Sequence, residues 1–591
     1  MNDEILRYYE AEMRYLREAG KEFAETHPDR ARMLNLDRVG DRDPYVERLF
    51  EGFAFMTARL RQKLDDELPE LTEGLVSLLW PHYLRMIPSL SILEIQPDFA
   101  VLQKPEILPA NIEVRSEPIG ADAIECTYRT TQAVQLLPLR LTEAAASTRS
   151  DGRSLLRMRF SLIPEARGQA LGAPTLRLYL HADRPQALAL HLALTRQVST
   201  IQLRVAGVRD GAAQTLPHAS FKAAGFAAEE RLWPKADNAF GGYQLLLEYF
   251  TFLEKFLFVD LIGVDLAALP ADSDCFEIEA LLDHDFPADM QFSADNLRLF
   301  CTPVINLFTV AAEPIHVNHH ETEYRVLPAL HHGQQVETYT VESVEAIDHA
   351  TGERLPYVAF SSFRHRGGML RHEAPERFYH TRVRQGVRGL HDTWVILGGH
   401  AWDDMEALPE ETLSLQVIGT NGMLPRKALR AASINILAGK AQDVSAVRNL
   451  VAPTLPLYPP TNDRFHWRVL SHLAPNFLSL MDAEVLRGTL ALYDWSDDEL
   501  NRRRLAGITQ VTHKPLRQIN GGALERGVQI EVSLDSHAFS GDGDVYLFGE
   551  LLQRFFALYA DVNLFTQLQI ISLPSGQRLD WPVSKSEAAA L

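Results

Sequence analysis

Five histidines lie close together in the sequence, and neutral imidazole is a good zinc ligand. They are His316, His319, His320, His331 and His332. Zinc sites usually present histidines at fixed spacings, as in HExxH on one helix face, or combine them with cysteine pairs. Neither pattern occurs in this stretch. The spacing therefore favours surface or structural histidines over a metal centre.

Acidic and glycine-rich segments are the next candidates for ligand chemistry. Asp535, Asp542 and Asp544 lie near two glycines, but the twelve-residue calcium loop that ends in a glutamate is missing. Four Gly-Gly pairs lack the lysine and Ser/Thr of a phosphate-binding loop, and no GxSxG motif is present. These segments are typical of turns, so we expect no catalytic residue, no metal and no cofactor.

The one compact basic segment raises the question of nucleic acid. It contains Arg364, His365, Arg366, Arg371 and His372. The whole chain has 58 Lys and Arg against 78 Asp and Glu, a net charge of −20, which opposes a broad phosphate-binding surface. Closely interleaved aromatic residues, which stack on bases, are also missing here. We interpret the segment as a solvated loop and expect no nucleic-acid partner.

Length and composition describe an ordered, multidomain protein. At 591 residues the chain is too long for one hydrophobic core, and 46% hydrophobic residues are enough for several. Its apolar runs are shorter than the roughly 18 residues that a membrane helix needs. The acidic N-terminus lacks the basic start of an export signal. Cys126, Cys275 and Cys301 are too few and too far apart for a disulfide framework. We expect a cytoplasmic chain without membrane insertion and with buried thiols.

An amphipathic helix is predicted between residues 3 and 25. Apolar residues recur there at intervals of three or four, which places them on one helix face. This stripe consists of Ile5, Tyr9, Met13, Leu16, Gly20 and Phe23.

A second amphipathic helix is predicted to start near Pro44. Its stripe consists of Val46, Leu49, Phe53, Met56, Leu60 and Leu64. Phe55 points roughly opposite the centre of this stripe and needs another neighbour. Two interpretations stay open: a core helix that its own domain contacts on two sides, which is the commoner case, or a helix shared with a partner subunit.

The stretch from Gly74 to Gln96 is predicted to be a joint between a helix and a strand. A helical pattern ends at Trp80 and Pro81, because proline cannot donate the next helical hydrogen bond. An extended pattern starts after Pro88 and runs from Ser91 to Gln96. Leu93 and Ile95 point to one side of this strand and Glu94 and Gln96 to the other. We expect Trp80, Tyr83 and Pro88 to act in packing and in turning the chain.

Beyond the joint, the patterns predict mixed α/β structure. Strands are predicted at Leu155 to Ile163, Thr175 to His181 and Ile201 to Val205, and again around Val528 to Leu534. The run Ala187 to Thr195 alternates leucine as a strand does, but its alanines and leucines favour a helix.

A densely aromatic segment and a C-terminal helix complete the prediction. Phe250, Phe252, Phe256 and Phe258 favour core anchors over a docking surface. Val545 to Tyr559 has a broad apolar helix face, and its N-cap is expected from Asp542, Gly543 or Asp544.

Five segments of the chain resemble the TssF family of type VI secretion baseplate subunits, in the family's order. They are WPHYLRMIPSLSI (80–92), YFTFLEKFLFVDLIGVDL (249–266), CTPVINLFTVAAEPIHV (301–317), LQVIGTNGMLP (415–425) and WRVLSHLAPNFLSL (467–480). The resemblance reaches across most of the chain. It implies a structural, non-enzymatic baseplate protein.

The resemblance also implies a set of partners and a location. Family members join TssG, typically as two TssF copies with one TssG, in a wedge that also contains TssK and TssE. Six such wedges surround the VgrG hub, and the sheath polymerises from them. The expected location is the cytoplasm, in a baseplate docked at the inner-membrane complex. The residues expected at interfaces or in the joint are Ile5, Tyr9, Met13, Leu16, Phe53, Phe55, Trp80, Pro81, Tyr83 and Pro88.

The expected fold class is α+β and multidomain. An N-terminal helical segment (1–90), which the family resemblance assigns to a bundle with TssG, precedes β-rich mixed α/β modules related to contractile-phage wedge proteins. These modules are a mixed α/β domain (91–310), a β-rich domain (311–430) and a C-terminal α/β domain (431–591). Two other classes stay as alternatives: an enzyme that uses the histidine-rich region, and a carbohydrate-binding β module.

Overall fold

The fold was analysed in a computed structural model of the chain. The structure describes residues 9, 13, 16, 48–59, 76, 81–120, 123–164, 171–205, 213–233, 241–270, 273–287, 289–318, 321–329, 336–348, 352–360, 377–385, 391–399, 411–426, 433–437, 443–460, 480–520, 523–559 and 564–585. The chain divides into two compact units. The first comprises Met1–Leu79 with Thr461–Leu473, and the second comprises Trp80–Pro460 with Ala474–Leu591.

The described part of the first unit is helical. Residues 48–59 form helix α1, and Tyr9, Met13, Leu16 and Val76 also have helical backbone. Met13 and Val76 are buried.

A six-stranded sheet contains the strand that follows the joint. In spatial order its strands are β24 (Ile434–Leu437), β3 (Glu113–Ser116), β4 (Thr127–Thr130), β15 (Cys301–Ile305), β1 (Leu90–Pro97) and β25 (Val444–Asn449). Strand β1 pairs antiparallel with β15 and β25. The prediction of a strand here is confirmed. Glu94 is buried as well as Leu93 and Ile95, because β1 lies inside the sheet with both faces covered.

Three further sheets lie between residues 106 and 298. The first has five strands, β10 (Gln214–Thr215), β9 (Val198–Val205), β13 (Cys275–Leu282), β7 (Ser154–Leu162) and β6 (Leu139–Thr148). The second has four, β11 (Ser220–Ala223), β12 (Phe258–Ile262), β8 (Leu176–Leu180) and β14 (Leu297–Arg298). The third pairs β2 (Glu106–Leu108) with β5 (Val134–Leu136). Helices α2 (Arg184–Arg196) and α3 (Gly241–Thr251) belong to the same region, so the helical interpretation of Ala187 to Thr195 is confirmed.

An eight-stranded sheet follows along the chain. Its strands are β16 (Phe308–Ala311), β23 (Glu411–Thr420), β19 (Glu337–Asp348), β20 (Arg354–Ala359), β21 (Phe378–Gln385), β22 (His391–Gly398) and β18 (Tyr324–Arg325), with β17 (Ile315–His316) also on β23. Alternate residues of β23 are buried, including Leu413, Leu415 and Val417, and they belong to one apolar cluster with Val344 and Val395.

The C-terminal part combines a sheet with helices. The strands are β26 (Ile508–Asn520), β27 (Ala523–Asp535), β28 (Leu564–Leu573), β29 (Gln577–Asp580) and β30 (Ser584–Lys585). The helices are α4 (Ala483–Ala491), α5 (Glu499–Ala506) and α6 (Asp542–Tyr559). Short 3₁₀ helices occur at Pro81–Leu84, Ala228–Glu230, Leu253–Phe256, Leu266–Ala268, Ala294–Asn296, Leu424–Arg426 and Ser536–Ala538. Strands β27 and β28 are parallel, and α6 connects them, as such a crossover requires.

The predicted strands at Leu155, Thr175 and Ile201 are confirmed within one to three residues at their starts, and the predicted strand Val528 to Leu534 lies inside β27, which starts five residues before Val528. The expected N-cap is replaced by another arrangement. Helix α6 begins at Asp542, so Asp544 lies in its first turn, and the Asp544 carboxylate accepts the Ser540 N–H and pairs with Arg504. The described residues are mostly β with six helices, which agrees with a mixed, multidomain fold.

Candidate functional site

The clearest candidate for an interaction site is the outward face of helix α1. Leu49, Phe53 and Met56 are 71%, 62% and 73% exposed, and their spacing places them on one helix face. We name these three residues the α1 stripe. Ala54 and Ala58, on the opposite face, are fully buried. The helix therefore packs through its alanines and leaves its large apolar side chains in solvent.

This geometry corrects the commoner of the two interpretations of the second helix. The α1 stripe is not a core face of this chain, because its side chains are exposed. Phe55 is also 39% exposed. Of the remaining stripe residues, Val46, Leu60 and Leu64 lie outside the described part of the chain.

The predicted residues of the first helix differ in their burial. Met13 is buried, whereas Tyr9 and Leu16 are partly exposed, all with helical backbone. Ile5 lies outside the described residues. The structure thus gives Met13 a packing role within the chain and leaves Tyr9 and Leu16 accessible in part.

Two of the joint residues, Tyr83 and Pro88, are buried in the second unit. Pro81 begins a 3₁₀ helix, Trp80 lies outside the described residues, and Pro88 is buried. Tyr83 is buried, and its ring centroid lies 5.5 Å from that of Tyr493 and 5.9 Å from that of Trp495, edge to face in both cases. Such pairs add about 0.5–1.5 kcal/mol each beyond burial of their area.

Backbone hydrogen bonds fix the same segment to a distant part of the chain. The Ile87 N–H donates to the Leu457 carbonyl at 2.7 Å, and the Leu457 N–H donates back at 2.9 Å. The Ser91 hydroxyl donates to the Val451 carbonyl at 2.6 Å. The joint is therefore built from sequence positions more than 350 residues apart, and no local pattern predicts that pairing.

The aromatic segment is core, as predicted. Phe250, Phe252, Phe256 and Phe258 are all at most 4% exposed. Within the same segment, Lys255 forms a buried ion pair with Glu248, a pair that the sequence analysis missed. The other Glu248 oxygen accepts the Leu232 N–H at 2.9 Å and the Gln244 amide, also at 2.9 Å. These bonds compensate for the desolvation of both charges.

A second charge cluster surrounds Arg177. Its guanidinium donates to Asp260 at 2.7 Å and to Glu230 at 2.6 Å, and it reaches the Gln132 side-chain oxygen at 2.9 Å. Burial alone would raise the pKa of Glu230, but the charge of Arg177 and two backbone N–H donors outweigh it and lower that pKa below its usual range. The cluster is structural, since the Glu230 and Asp260 carboxylates are both paired with the Arg177 guanidinium.

A third cluster connects helices α5 and α6. Arg504 and Asp544 are almost fully buried, and the two groups approach to 2.8 Å. Asn501 accepts from Arg504 at 2.9 Å and donates to the Phe250 carbonyl at 3.0 Å. This network secures the C-terminal helices to helix α3.

The described residues contain no candidate metal site. Within those ranges, no three His, Cys, Asp or Glu side chains are grouped to hold a metal ion. His316 contacts the Thr412 hydroxyl at 2.9 Å, and His319, His320, His331 and His332 lie outside the described residues. Burial raises the pKa of the Cys126 thiol to about 12, which keeps it protonated and unreactive.

An open cleft of about 440 Å³ lies beside strand β1. Glu94, Arg140 and Arg298 are among its lining residues. Glu94 is already paired with Arg448 and Arg298, and the Arg140 guanidinium stacks on Phe99 with its carbon 4.1 Å from the ring centroid. These three charged groups of the cleft are thus already in contact with other side chains of the chain.

In the part of the chain that the structure describes, every helix is too short or too polar to cross a bilayer.

Comparison with known proteins decides the family. The sequence model described as type VI secretion system, TssF matches residues 1–588. The chain belongs to the TssF family. It is 30% identical over 620 residues to the type VI secretion system component TssF1 of Pseudomonas aeruginosa, with 98% of each chain covered.

Two solved TssF-like chains show the same fold. One comes from the TssK-TssF-TssG baseplate subcomplex determined by cryo-electron microscopy, with 49% identity, a TM-score of 0.80, and coverage of 91% of this chain and 98% of that chain. The other comes from a baseplate complex of the type VI secretion system, with 49% identity, a TM-score of 0.65, and coverage of 98% and 99%. The family resemblance and the structural, non-enzymatic role that it implied are confirmed.

Proposed function

We propose that this chain is a structural subunit of the type VI secretion baseplate wedge and that it assembles with TssG and TssK. The support is a chain 49% identical to it in a TssK-TssF-TssG subcomplex. The observation that carries the proposal within this molecule is the exposed α1 stripe.

The α1 stripe has the composition of a helix-docking face. Leu49, Phe53 and Met56 are large, apolar and adjacent on the helix surface, whereas exposed apolar residues on monomers are usually scattered. Full burial of such a side chain stabilises a complex by about 1.5–3 kcal/mol. Burial of all three side chains against an apolar surface of a partner helix would contribute several kcal/mol to the binding free energy. We assign this partner helix to TssG.

The finer features of the proposal come from the family resemblance. We propose two copies of this chain per TssG, with TssE in the same wedge, six wedges around the VgrG hub, and the sheath polymerising from them. We place the assembly in the cytoplasm, docked at the inner-membrane complex, and relate it to wedge proteins of contractile phages. Residues 1–90 supply the shared helices in this proposal, and 91–310, 311–430 and 431–591 supply three further domains.

Copurification of the full-length chain with tagged TssG tests the proposal. Met56→Asp places a carboxylate at the C-terminal end of the α1 stripe, where burial against an apolar partner would leave it unpaired. We expect this variant to lose TssG. Ile107→Asp is the matched control, because Ile107 is 67% exposed in strand β2 of the second unit.

The two variants give opposite results if the proposal is correct. Wild type and Ile107→Asp should retain TssG in equal amounts, and both variants should keep the wild-type thermal midpoint, since each replaced side chain is exposed. Undiminished TssG binding by Met56→Asp would show that the α1 stripe is not the contact.

A further inference from the structure

The hairpin formed by β26 and β27 has one face that changes character along its length. At its base this face is core: Val511 lies opposite Val532, and both are buried together with Ile530. Helix α6 covers the face here, because the Ile570 side chain, in register with Val532, lies next to Gly549. Residues further along the two strands continue the same face beyond this cover.

Near the tip, the same face carries an unusual combination of side chains. Arg517 lies directly opposite Arg526, and Ile519 lies directly opposite Leu524. The two arginines are exposed, and Ile519 and Leu524 are 76% and 61% exposed. We name these four residues the hairpin tip face.

The charged pair is unfavourable in the free chain, and the apolar pair stays largely exposed. Like charges directly opposite each other on antiparallel strands destabilise the pairing. Neither Arg517 nor Arg526 has an ion-pair partner among the residues that the structure describes, and the nearby Glu525 points to the other face, where it pairs with Lys585 at 2.7 Å. Local conflicts of this kind concentrate at functional sites.

The outer edge of the hairpin is protected against pairing with a strand of another protein. Only the side chains near the tip remain available for a contact. Strand β26 is the outer strand of its sheet, but Lys514 and Pro515 interrupt its middle. A lysine and a proline on an edge strand prevent pairing with another strand. The edge of β26 is therefore unsuited to extending the sheet, and the side chains of the hairpin tip face remain exposed.

We propose that the hairpin tip face docks onto an acidic protein surface of another baseplate subunit. Carboxylates of that surface occupy the space between the two guanidinium groups, which are suited to bidentate pairing, and an apolar recess beside them receives Ile519 and Leu524. The tip face is cationic, because both of its titratable groups are arginines and no carboxylate lies on it, so an acidic surface is the complement that it fits. This inference rests on the proposed baseplate function.

Photo-crosslinking from the tip tests the inference in the assembled complex. Ile519 is replaced by the photoreactive residue p-benzoylphenylalanine in the full-length chain, the complex is purified through tagged TssK, and the crosslinked peptide is identified by mass spectrometry. The same experiment is repeated with Arg526→Glu and with Lys514→Glu. Lys514 is also exposed on β26 but points to the opposite face, so it is a matched control for the charge change.

We expect a crosslink to a segment rich in Asp and Glu on another subunit, a second copy of this chain included. Arg526→Glu should lower the crosslinked fraction about fivefold or more, because it replaces attraction by repulsion, while Lys514→Glu changes it less than about twofold. The thermal midpoint of Arg526→Glu should equal or exceed that of wild type, because Glu opposite Arg517 removes the like-charge pair.

The outcomes separate this inference from the proposed function. A complex that contains TssG and TssK but gives no crosslink, a crosslink to a segment without carboxylates, or equal effects of the two charge changes would overturn the docking of the hairpin tip face. Absence of TssG from the complex would instead contradict the proposed function itself.

Discussion

Charged residues inside apolar segments determine how the second unit is held together. Lys255 and Asp260 each interrupt a run of apolar residues, and each forms a buried or half-buried ion pair with a residue from another segment. Removal of one partner would leave an uncompensated charge, which typically costs about 3–5 kcal/mol in a buried site. The sequence signal was available, because a lone charge in a core segment requires a partner. The partners themselves, Glu248 and Arg177, could not be chosen without the fold.

His191 is a different case, a buried side chain without compensation. It lies on the inner side of helix α2, and within the described residues neither ring nitrogen has a hydrogen-bond partner. Burial lowers the pKa of His191 from 6.5 to about 4, because the charged form would lose its hydration. Between these two pKa values the imidazole is therefore neutral in the folded protein, whereas in the unfolded chain it binds a proton.

The sign of the resulting pH dependence follows from this difference. Between pH 6.5 and pH 4 the unfolded chain holds more protons at His191, so stability falls as the pH falls through this window and is fully present above it. At pH 5 the loss from this residue is about 2 kcal/mol. We expect His191→Leu to raise the thermal midpoint more at pH 5.0 than at pH 7.5. An equal change at both pH values would contradict the assignment.

At the scale of elements, helix α6 is fixed by close approach to helix α2. Gly543 lies against the backbone of α2, and a methyl group at this position would come within 2.3 Å of the Leu188 carbonyl oxygen. The packing of these two helices thus requires glycine at the first turn of α6. The amphipathic pattern of α6 was visible in the sequence, but the partner helix was not.

Two glycine-to-alanine substitutions test this contact. Gly543→Ala should lower the free energy of unfolding by about 1–3 kcal/mol, because the helices must move apart to admit the methyl group. Gly488→Ala in helix α4 is the control, since no atom lies within 4 Å of the added methyl group. It should raise the free energy of unfolding by about 0.5–1 kcal/mol. Chemical denaturation of both variants measures the difference, and equal stabilities would refute the packing argument.

An element can be predicted from the sequence when its residue pattern depends only on neighbouring residues in the chain. Strand β7 and helix α6 are confirmed because their patterns depend on one buried face each. Strand β1 was predicted, but the burial of Glu94 was not, because it depends on elements from other parts of the chain that cover the second face of the strand. The pairing of Ile87 with Leu457 could not be predicted at all, because it joins segments 370 residues apart by backbone groups that every residue possesses.

At the scale of the whole molecule, the large apolar side chains of the described residues have two different environments, the core of the second unit and the exposed face of helix α1. In the second unit the aromatic segments are buried in the core. Phe256 and Phe548, for example, have no exposed surface. In the first unit the α1 stripe presents its apolar side chains to solvent. The sequence pattern of an amphipathic helix is the same whether it faces its own core or a partner, so only the structure separates the two interpretations.

Amide hydrogen exchange of the full-length chain, free and in its coexpressed complex with TssG, tests the central claim most directly. If the α1 stripe is the contact, exchange in residues 48–59 should slow by about tenfold or more in the complex, because docking suppresses local opening of the helix. Strand β23, buried in the second unit, should exchange equally in both samples. A stable complex with unchanged exchange across residues 48–59 would contradict the account.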